Sequence, residues 1–344
     1  MPPILRALES RNYRIYFAGQ LISLAGTWMQ QVAMVWLAYR LTGSALVLGV
    51  VGFASQIPIL VFSAIGGVIT DRFDKRRLLL ATQALSMVQA LGLAALAWQG
   101  SATPAHLIAL AFGLGLINAL DVPTRQAIAV QLVDNKADLP NAIALNSFLM
   151  NAARFVGPSL AGFVVALAGE AVCFLLNGLS YLAVLLALLA IRLPAGEARK
   201  PPAPPLQALR EGLAYAAGQA EIRASLLLVA TTSFLAAPYV VLMPLFAREI
   251  FGGDARLYGL LLGCSGAGSL LGSAYLASRQ DTTGLTRKVA LAAPAVGVCV
   301  ALFALSPALW MAVPVLLALG LAIIVTVAGS NTLIQTRVDN AFRG

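Results

Sequence analysis

Ten apolar runs, each about long enough to carry a helix across a bilayer, constrain this chain more than any single motif. They fall at residues 16–39, 46–70, 78–98, 104–120, 143–168, 171–191, 224–246, 257–277, 289–305 and 308–330. A membrane-crossing helix needs roughly 20 mainly apolar residues. No stretch alternates apolar and polar residues with the period of two that a membrane β-barrel demands. Composition agrees: the 344 residues are 60% hydrophobic and 11% charged, against about 25% charged in soluble domains. A purely soluble protein is excluded, and so is a disordered chain, which would be charge-rich and apolar-poor. The expected fold class is all-α integral membrane protein. The first run is too long, and too closely followed by the second, to be a cleavable signal. Cys173, Cys264 and Cys299 each lie singly inside an apolar run. They read as small buried hydrophobes rather than a disulfide framework or a metal site.

The basic residues set the expected orientation. Of the 23 Lys and Arg, 19 fall in the N-terminal segment and alternate connections, only Arg40, Arg248 and Arg256 fall in the others, and Arg154 lies within a run. By the positive-inside rule this asymmetry predicts that both termini are cytoplasmic. The net charge of +9 is therefore a topology signal, and no nucleic-acid partner is expected. The partners implied are the lipid bilayer and a small-molecule substrate, with a monomer favoured.

The one long connection, about 192–223, contains Pro194, Pro201, Pro202, Pro204 and Pro205 among charges. It reads as a solvated linker, with a short interfacial helix over residues 206–217 as the alternative. The chain thus divides into a six-helix bundle (1–192), a linker (193–223) and a second membrane bundle (224–344). The two bundles look like repeats: Gly66 and Gly67 run into a basic turn after the second span, and Gly272 runs into Arg279, Arg287 and Lys288 after the eighth. Six spans precede the linker and four follow it, so the expectation is a six-plus-six repeat cut after its tenth span.

Polar residues within apolar runs mark the candidate functional positions, because burying them in lipid is costly. Gln20, Ser23, Thr27, Gln30 and Gln31 recur at helical spacing on the first span. They could line a substrate cavity, or they could hold neighbouring helices together. Arg154, with Asn151 near it on the fifth span, should pair with an acid, a carbonyl or a substrate anion; a structural ion pair or snorkelling is the competing reading. On the same helix Gly157, Pro158 and Gly162 form a weak point suited to bending. Gly67, Asp71, Arg72 and Arg76 occupy the basic turn, where Gly67 permits close packing and Arg72 or Arg76 can bond Asp121, in the loop beyond the fourth span. A latch of this kind, with Arg125 beside it, made in one conformation and broken in another, is what alternating access requires. No Walker loop, dinucleotide fingerprint or nucleophile elbow is complete, so neither a cofactor nor enzymatic chemistry is expected.

Residues 67–77, Gly-Val-Ile-Thr-Asp-Arg-Phe-Asp-Lys-Arg-Arg, resemble the signature between spans two and three of the major facilitator superfamily. Gly157-Pro158 with Gly162 resembles the fifth-span motif of its antiporters. Arg11-Asn12-Tyr13-Arg14, residues 118–126 and residues 139–146 are similar to the bacterial branch that holds the enterobactin exporter and macrolide-efflux proteins. The resemblance implies two six-helix bundles in a bacterial inner membrane, exporting small amphipathic compounds such as drugs or siderophores by alternating access against a proton gradient. Carried over to this chain, Gly67, Asp71, Arg72 and Arg76 form the cytoplasmic gate, and Gly157 and Pro158 the hinge. Asp74 departs from the signature, which has glycine there, and no mid-span acid stands out as proton carrier. The alternatives are an inactive truncated homologue and an importer or facilitator of the same fold.

Overall fold

The computed structural model describes residues 3–133, 135, 138–191, 205–279 and 283–337. After a short 3-10 helix, Pro3–Glu9, come α1 (Arg11–Thr42), α2 (Ala45–Arg72), α3 (Lys75–Trp98), α4 (Pro104–Gln131), α5 (Leu139–Ala168) and α6 (Glu170–Ala190). Then follow α7 (Pro205–Gly218), α8 (Ala220–Leu245), α9 (Ala255–Ala277), α10 (Leu285–Ala304) and α11 (Leu309–Arg337). All but α7 are long and apolar enough to cross a membrane, ten candidate spans among the described residues. The chain divides into two compact units, residues 1–205 and 206–344.

Local chemistry sets the helix limits. Gly43 ends α1 in the left-handed conformation, at φ 59°, with its N–H returned to the Tyr39 carbonyl. Ser44 caps α2 and Thr103 caps α4 through their hydroxyls. Asp74 accepts from the Arg77 N–H at 2.7 Å and so starts α3. Its acidic side chain thus has a capping task within the basic turn. The segment expected to be a solvated linker contains the helix α7, the reading held as the alternative; the proline-rich residues 192–204 ahead of it lie outside the described residues.

Within unit 1, α1, α3 and α5 alternate in direction with α2, α4 and α6, so one end collects the start of α1 and the basic turn. We call it the basic end. A core of Tyr13, Tyr16, Leu79, Ile128, Leu132, Leu145, Val184 and Leu188 closes that end. Tyr13 there donates to the Ala142 carbonyl at 2.8 Å. At the opposite end the Arg40 guanidinium grips both carboxylate oxygens of Glu170, at 2.8 and 3.1 Å, tying α1 to α6.

In unit 1, α2 and α4 pack closely, and glycine permits it. A Cβ on Gly115 would lie 2.6 Å from the Ser55 carbonyl oxygen, and one on Gly66 would collide with the carbonyl of Ala119. That carbonyl lies four residues before Pro123, which has no N–H to give it, so Gly66 covers an acceptor the helix leaves open. Thr70 and Thr124 join hydroxyls at 2.8 Å one turn further on. Unit 2 repeats the device: Gly320 of α11 abuts the Ser265 carbonyl of α9, and Gly268 of α9 abuts the Leu317 carbonyl of α11. The paired contacts lie 198 to 210 positions apart, close to the offset of the sequence repeats. In lipid there is little hydrophobic drive between helices, and small residues that let backbones approach supply the association.

Two expectations are corrected here. Gly67 does not make the close approach; nothing would meet a Cβ there within 4 Å. One residue is about 100° of helix, and Gly66 is the residue turned to α4. Asp121 through Arg125 do not form a loop, because α4 continues through Pro123 to Gln131. Gly66→Val should therefore lower the unfolding midpoint of the purified protein, at a cost of about 1–3 kcal/mol for overpacking. Gly67→Ala should leave it within error of the parent in the same thermal melt.

Candidate functional site

Unit 1 encloses a polar seam built from four helices. Spacing of three and four residues turns Gln20, Ser23 and Gln30 of α1 inward, and Thr82, Gln83, Ser86 and Gln89 of α3 likewise, all buried. Asn177, Ser180 and Tyr181 meet them from α6, and Asp121 and Thr124 from α4. In the middle, Gln30 donates to Gln89 at 2.8 Å and accepts from Asn177 at 2.8 Å, while Gln89 donates to the Leu110 carbonyl. Gly26 makes room for this, since a Cβ there would lie 2.6 Å from the Asn177 and Ser180 oxygens.

Nearer the basic end the seam becomes charged. Asp121, 1% exposed, accepts from Thr82 at 2.8 Å and Gln83 at 2.7 Å on one oxygen and from Arg125 at 2.5 Å on the other. Tyr16 donates to the backbone carbonyl of Arg125 at 3.4 Å. Thr27 donates to the Ser23 carbonyl and meets the Tyr181 hydroxyl at 3.5 Å. Two buried amide atoms, Nε2 of Gln20 and Oε1 of Gln83, have no hydrogen-bond partner.

The sequence-derived candidates separate into groups. Gln20, Ser23, Thr27 and Gln30 come together inside the seam, where Gln30 joins three helices in the manner of the competing reading. Gln31 is exposed on another face. The expected bond from Arg72 or Arg76 to Asp121 is replaced by two others. Asp121 takes Arg125, one helical turn away, while Arg76 donates to the carbonyls of Leu188 and Leu189 at 2.7 and 2.9 Å, capping the end of α6. Asp71 and Arg72 are exposed at the end of α2. Gly157, Pro158 and Gly162 are buried within an unbroken α5, and Gly157 packs against Trp28 and the Ala25 carbonyl of α1. Missed at the sequence level were Thr82, Gln83, Gln89, Asn177 and Tyr181. The 82–86–89 spacing in the third run was their available signal.

Arg154 lies elsewhere on α5. Its guanidinium sits over the Trp28 ring of α1, 5.1 Å from the centroid, within range of a cation–π contact. It is exposed, as is Ser147, with Asn151 half-buried between them. Asn151 donates to the Ser147 carbonyl at 2.9 Å. These three share one helical face. On the second half of α5 exposure passes to the other side, to Val156, Leu160, Phe163 and Leu167, all apolar.

Removing one partner from a buried ion pair leaves the other charge uncompensated, typically at about 3–5 kcal/mol. Asp121→Leu or Arg125→Leu alone should sharply lower the yield and melting temperature of folded protein. The double variant should be milder than either single one, and fluorescence-detected size exclusion after heating would measure all three. Gln30→Leu should cost less, about 1 kcal/mol, as inter-helix hydrogen bonds in membranes do.

Comparison with known proteins places this architecture. Residues 4–344 match the family model described as transmembrane secretion effector, of the major facilitator superfamily. The Staphyloferrin A transporter of Staphylococcus aureus is 28% identical over 269 residues, 76% of this chain and 66% of that protein. The multidrug efflux pump Tap of Mycobacterium tuberculosis is 26% identical over 185 residues, 53% of this chain and 44% of that protein. Macrolide efflux protein A of Streptococcus pyogenes is 23% identical over 254 residues, 70% and 61%. The chain thus spans about two-thirds or less of the length of these relatives. Among solved structures, a bacterial homologue of the lysosomal transporter Spinster has a TM-score of 0.69 at 15% identity, over 96% of this chain and 77% of that one. A bacterial homologue of the iron transporter ferroportin has a TM-score of 0.64 at 17% identity, over 97% and 86%. The chain belongs to the transmembrane secretion effector family of the major facilitator superfamily, whose members are multi-pass membrane transporters and not enzymes.

Proposed function

We propose that this chain exports small amphipathic compounds by alternating access, driven by the inward proton gradient across a bacterial inner membrane, with both termini cytoplasmic. The observation that carries the reading is the duplicated glycine-to-carbonyl packing of α2 with α4 and of α9 with α11. Two units built on one plan, each held together by its own backbone contacts, are the parts that a rocking carrier needs. The relatives named as efflux pumps for drugs and macrolides support export over import, and the basic asymmetry supports the orientation.

In this reading the exposed Asp71 and Arg72, at the end of α2 beside Gly67, supply the cytoplasmic latch, and Gly157, Pro158 and Gly162 the point at which α5 bends. Asp121, Arg125 and Arg76 hold unit 1 together while the latch opens and closes. The latch and the seam thereby have separate tasks.

Cells expressing the chain should accumulate less of a fluorescent amphipathic dye, cationic ethidium or anionic carboxyfluorescein, than empty-vector cells. A protonophore should erase the difference. Asp71→Asn should also erase it, at unchanged membrane insertion and unchanged melting temperature. Full dye exclusion by that variant would reduce the turn to a topological anchor. Exclusion that survives the protonophore would remove proton coupling.

A further inference from the structure

Gln20 and Gln83 carry more hydrogen-bonding capacity into unit 1 than the protein around them uses. They are only 2% and 4% exposed, yet Nε2 of Gln20 and Oε1 of Gln83 have no partner among the described residues. One is a donor and the other an acceptor. A buried amide group that gives up water without replacing its bonds is costly. One level deeper in the seam, Gln30, Gln89 and Asn177 meet that demand by bonding to one another and to a backbone carbonyl. The Gln83 amide cannot meet it by turning over. Its Nε2 donates to Asp121 at 2.7 Å, and the reversed amide would set its oxygen against the carboxylate.

The two atoms belong to one level of the bundle. α1 and α3 both start at the basic end and run the same way, and the Gln30–Gln89 bond sets their register. Gln20 lies ten residues before Gln30, and Gln83 six before Gln89. The difference is about 6 Å along the bundle at roughly 1.5 Å per residue. A molecule that bonds to both atoms at once joins groups about 5–6 Å apart, the length of two hydrogen bonds. The charges beside them select its chemistry. Gln83 holds one oxygen of Asp121, and Arg125 holds the other. A cation would face the Gln20 donor and the Arg125 guanidinium, and an anion would face the Gln83 acceptor and the Asp121 carboxylate. A small neutral molecule that both accepts and donates faces neither conflict, and water is that molecule. We propose that Gln20 and Gln83 hold a structural water between α1 and α3, beside the Asp121–Arg125 pair. The water ties the two helices at this level as the Gln30–Gln89 bond ties them at the next. The site belongs to unit 1 as a folded body and is independent of the direction and coupling of transport.

The test is X-ray radiolysis of the full chain in lipid nanodiscs, with side-chain oxidation read by mass spectrometry. Hydroxyl radicals form wherever water is, so a held internal water oxidises neighbours that bulk solvent does not reach. Tyr16, one helical turn from Gln20, is buried, and its hydroxyl donates to the Arg125 carbonyl. Tyr13 is equally buried and one turn nearer the basic end, so bulk water entering from that end meets Tyr13 first. Tyr16 should nonetheless be oxidised several-fold faster than Tyr13. Gln20→Leu, which removes the donor and keeps the bulk, should bring Tyr16 down to the Tyr13 rate. Gln20→Met should do the same and guards against a packing fault peculiar to leucine. A Tyr16 rate no higher than that of Tyr13 in the parent protein would overturn the proposal, and a direct bond between the two amides would give that result. An excess that persists in both variants would overturn it as well, because the water would then be held by other groups. The parent measurement needs no variant to fold.

Discussion

Everything in this chain depends on one constraint: a polar group carried into hydrocarbon has to find its partner inside the protein. Unit 1 meets it with a seam rather than with isolated pairs. Asp121 draws donors from α3 and from its own helix, and Gln30 bridges α3 and α6. Each bond fixes a helix azimuth, because turning α3 by one residue would carry Thr82 and Gln83 away from the carboxylate. Apolar side chains alone would not do so, since lipid tails accommodate any apolar face. The seam therefore supplies the specificity, and the glycine contacts of α2 with α4 supply the closeness.

Much of this was legible in the sequence. The ten spans followed from hydropathy, because length and apolarity are what a bilayer reads. The polar stripe on α1 was legible for the same reason. Its destination was not. Nothing in the run of Gln20, Ser23, Thr27 and Gln30 says whether α3 and α6 answer it, and that depends on Thr82, Gln83, Gln89 and Asn177, which belong to runs some 50 to 160 residues away.

The errors were local and share a cause. Ending the fourth span at Leu120 put Asp121 in a loop, where an arginine from the neighbouring turn could reach it. In the structure α4 runs on through Pro123, with Gly66 of α2 packed against the carbonyl four residues before it, a contact invisible along the chain. With α4 continuous, Arg125 lies one turn from Asp121 and wins over Arg76 by proximity. Arg76 then serves the carbonyls at the end of α6. The choice of Gly67 over Gly66 is the same kind of error, one residue in a helix where one residue is a change of neighbour.

The division between seam and exposed charge bears on mechanism. A carboxylate held by three donors on two helices, with a guanidinium among them, is tied into the packing of the unit. Such a group suits a fixed joint better than a shuttle. A working carrier has to change what touches its substrate while keeping its bundles intact, so the groups that change partners should be those the bundle does not need. Asp71, Arg72 and Arg154 lie exposed, outside the seam. Asp121 with Arg125 and Arg40 with Glu170 are instead ion pairs made within unit 1.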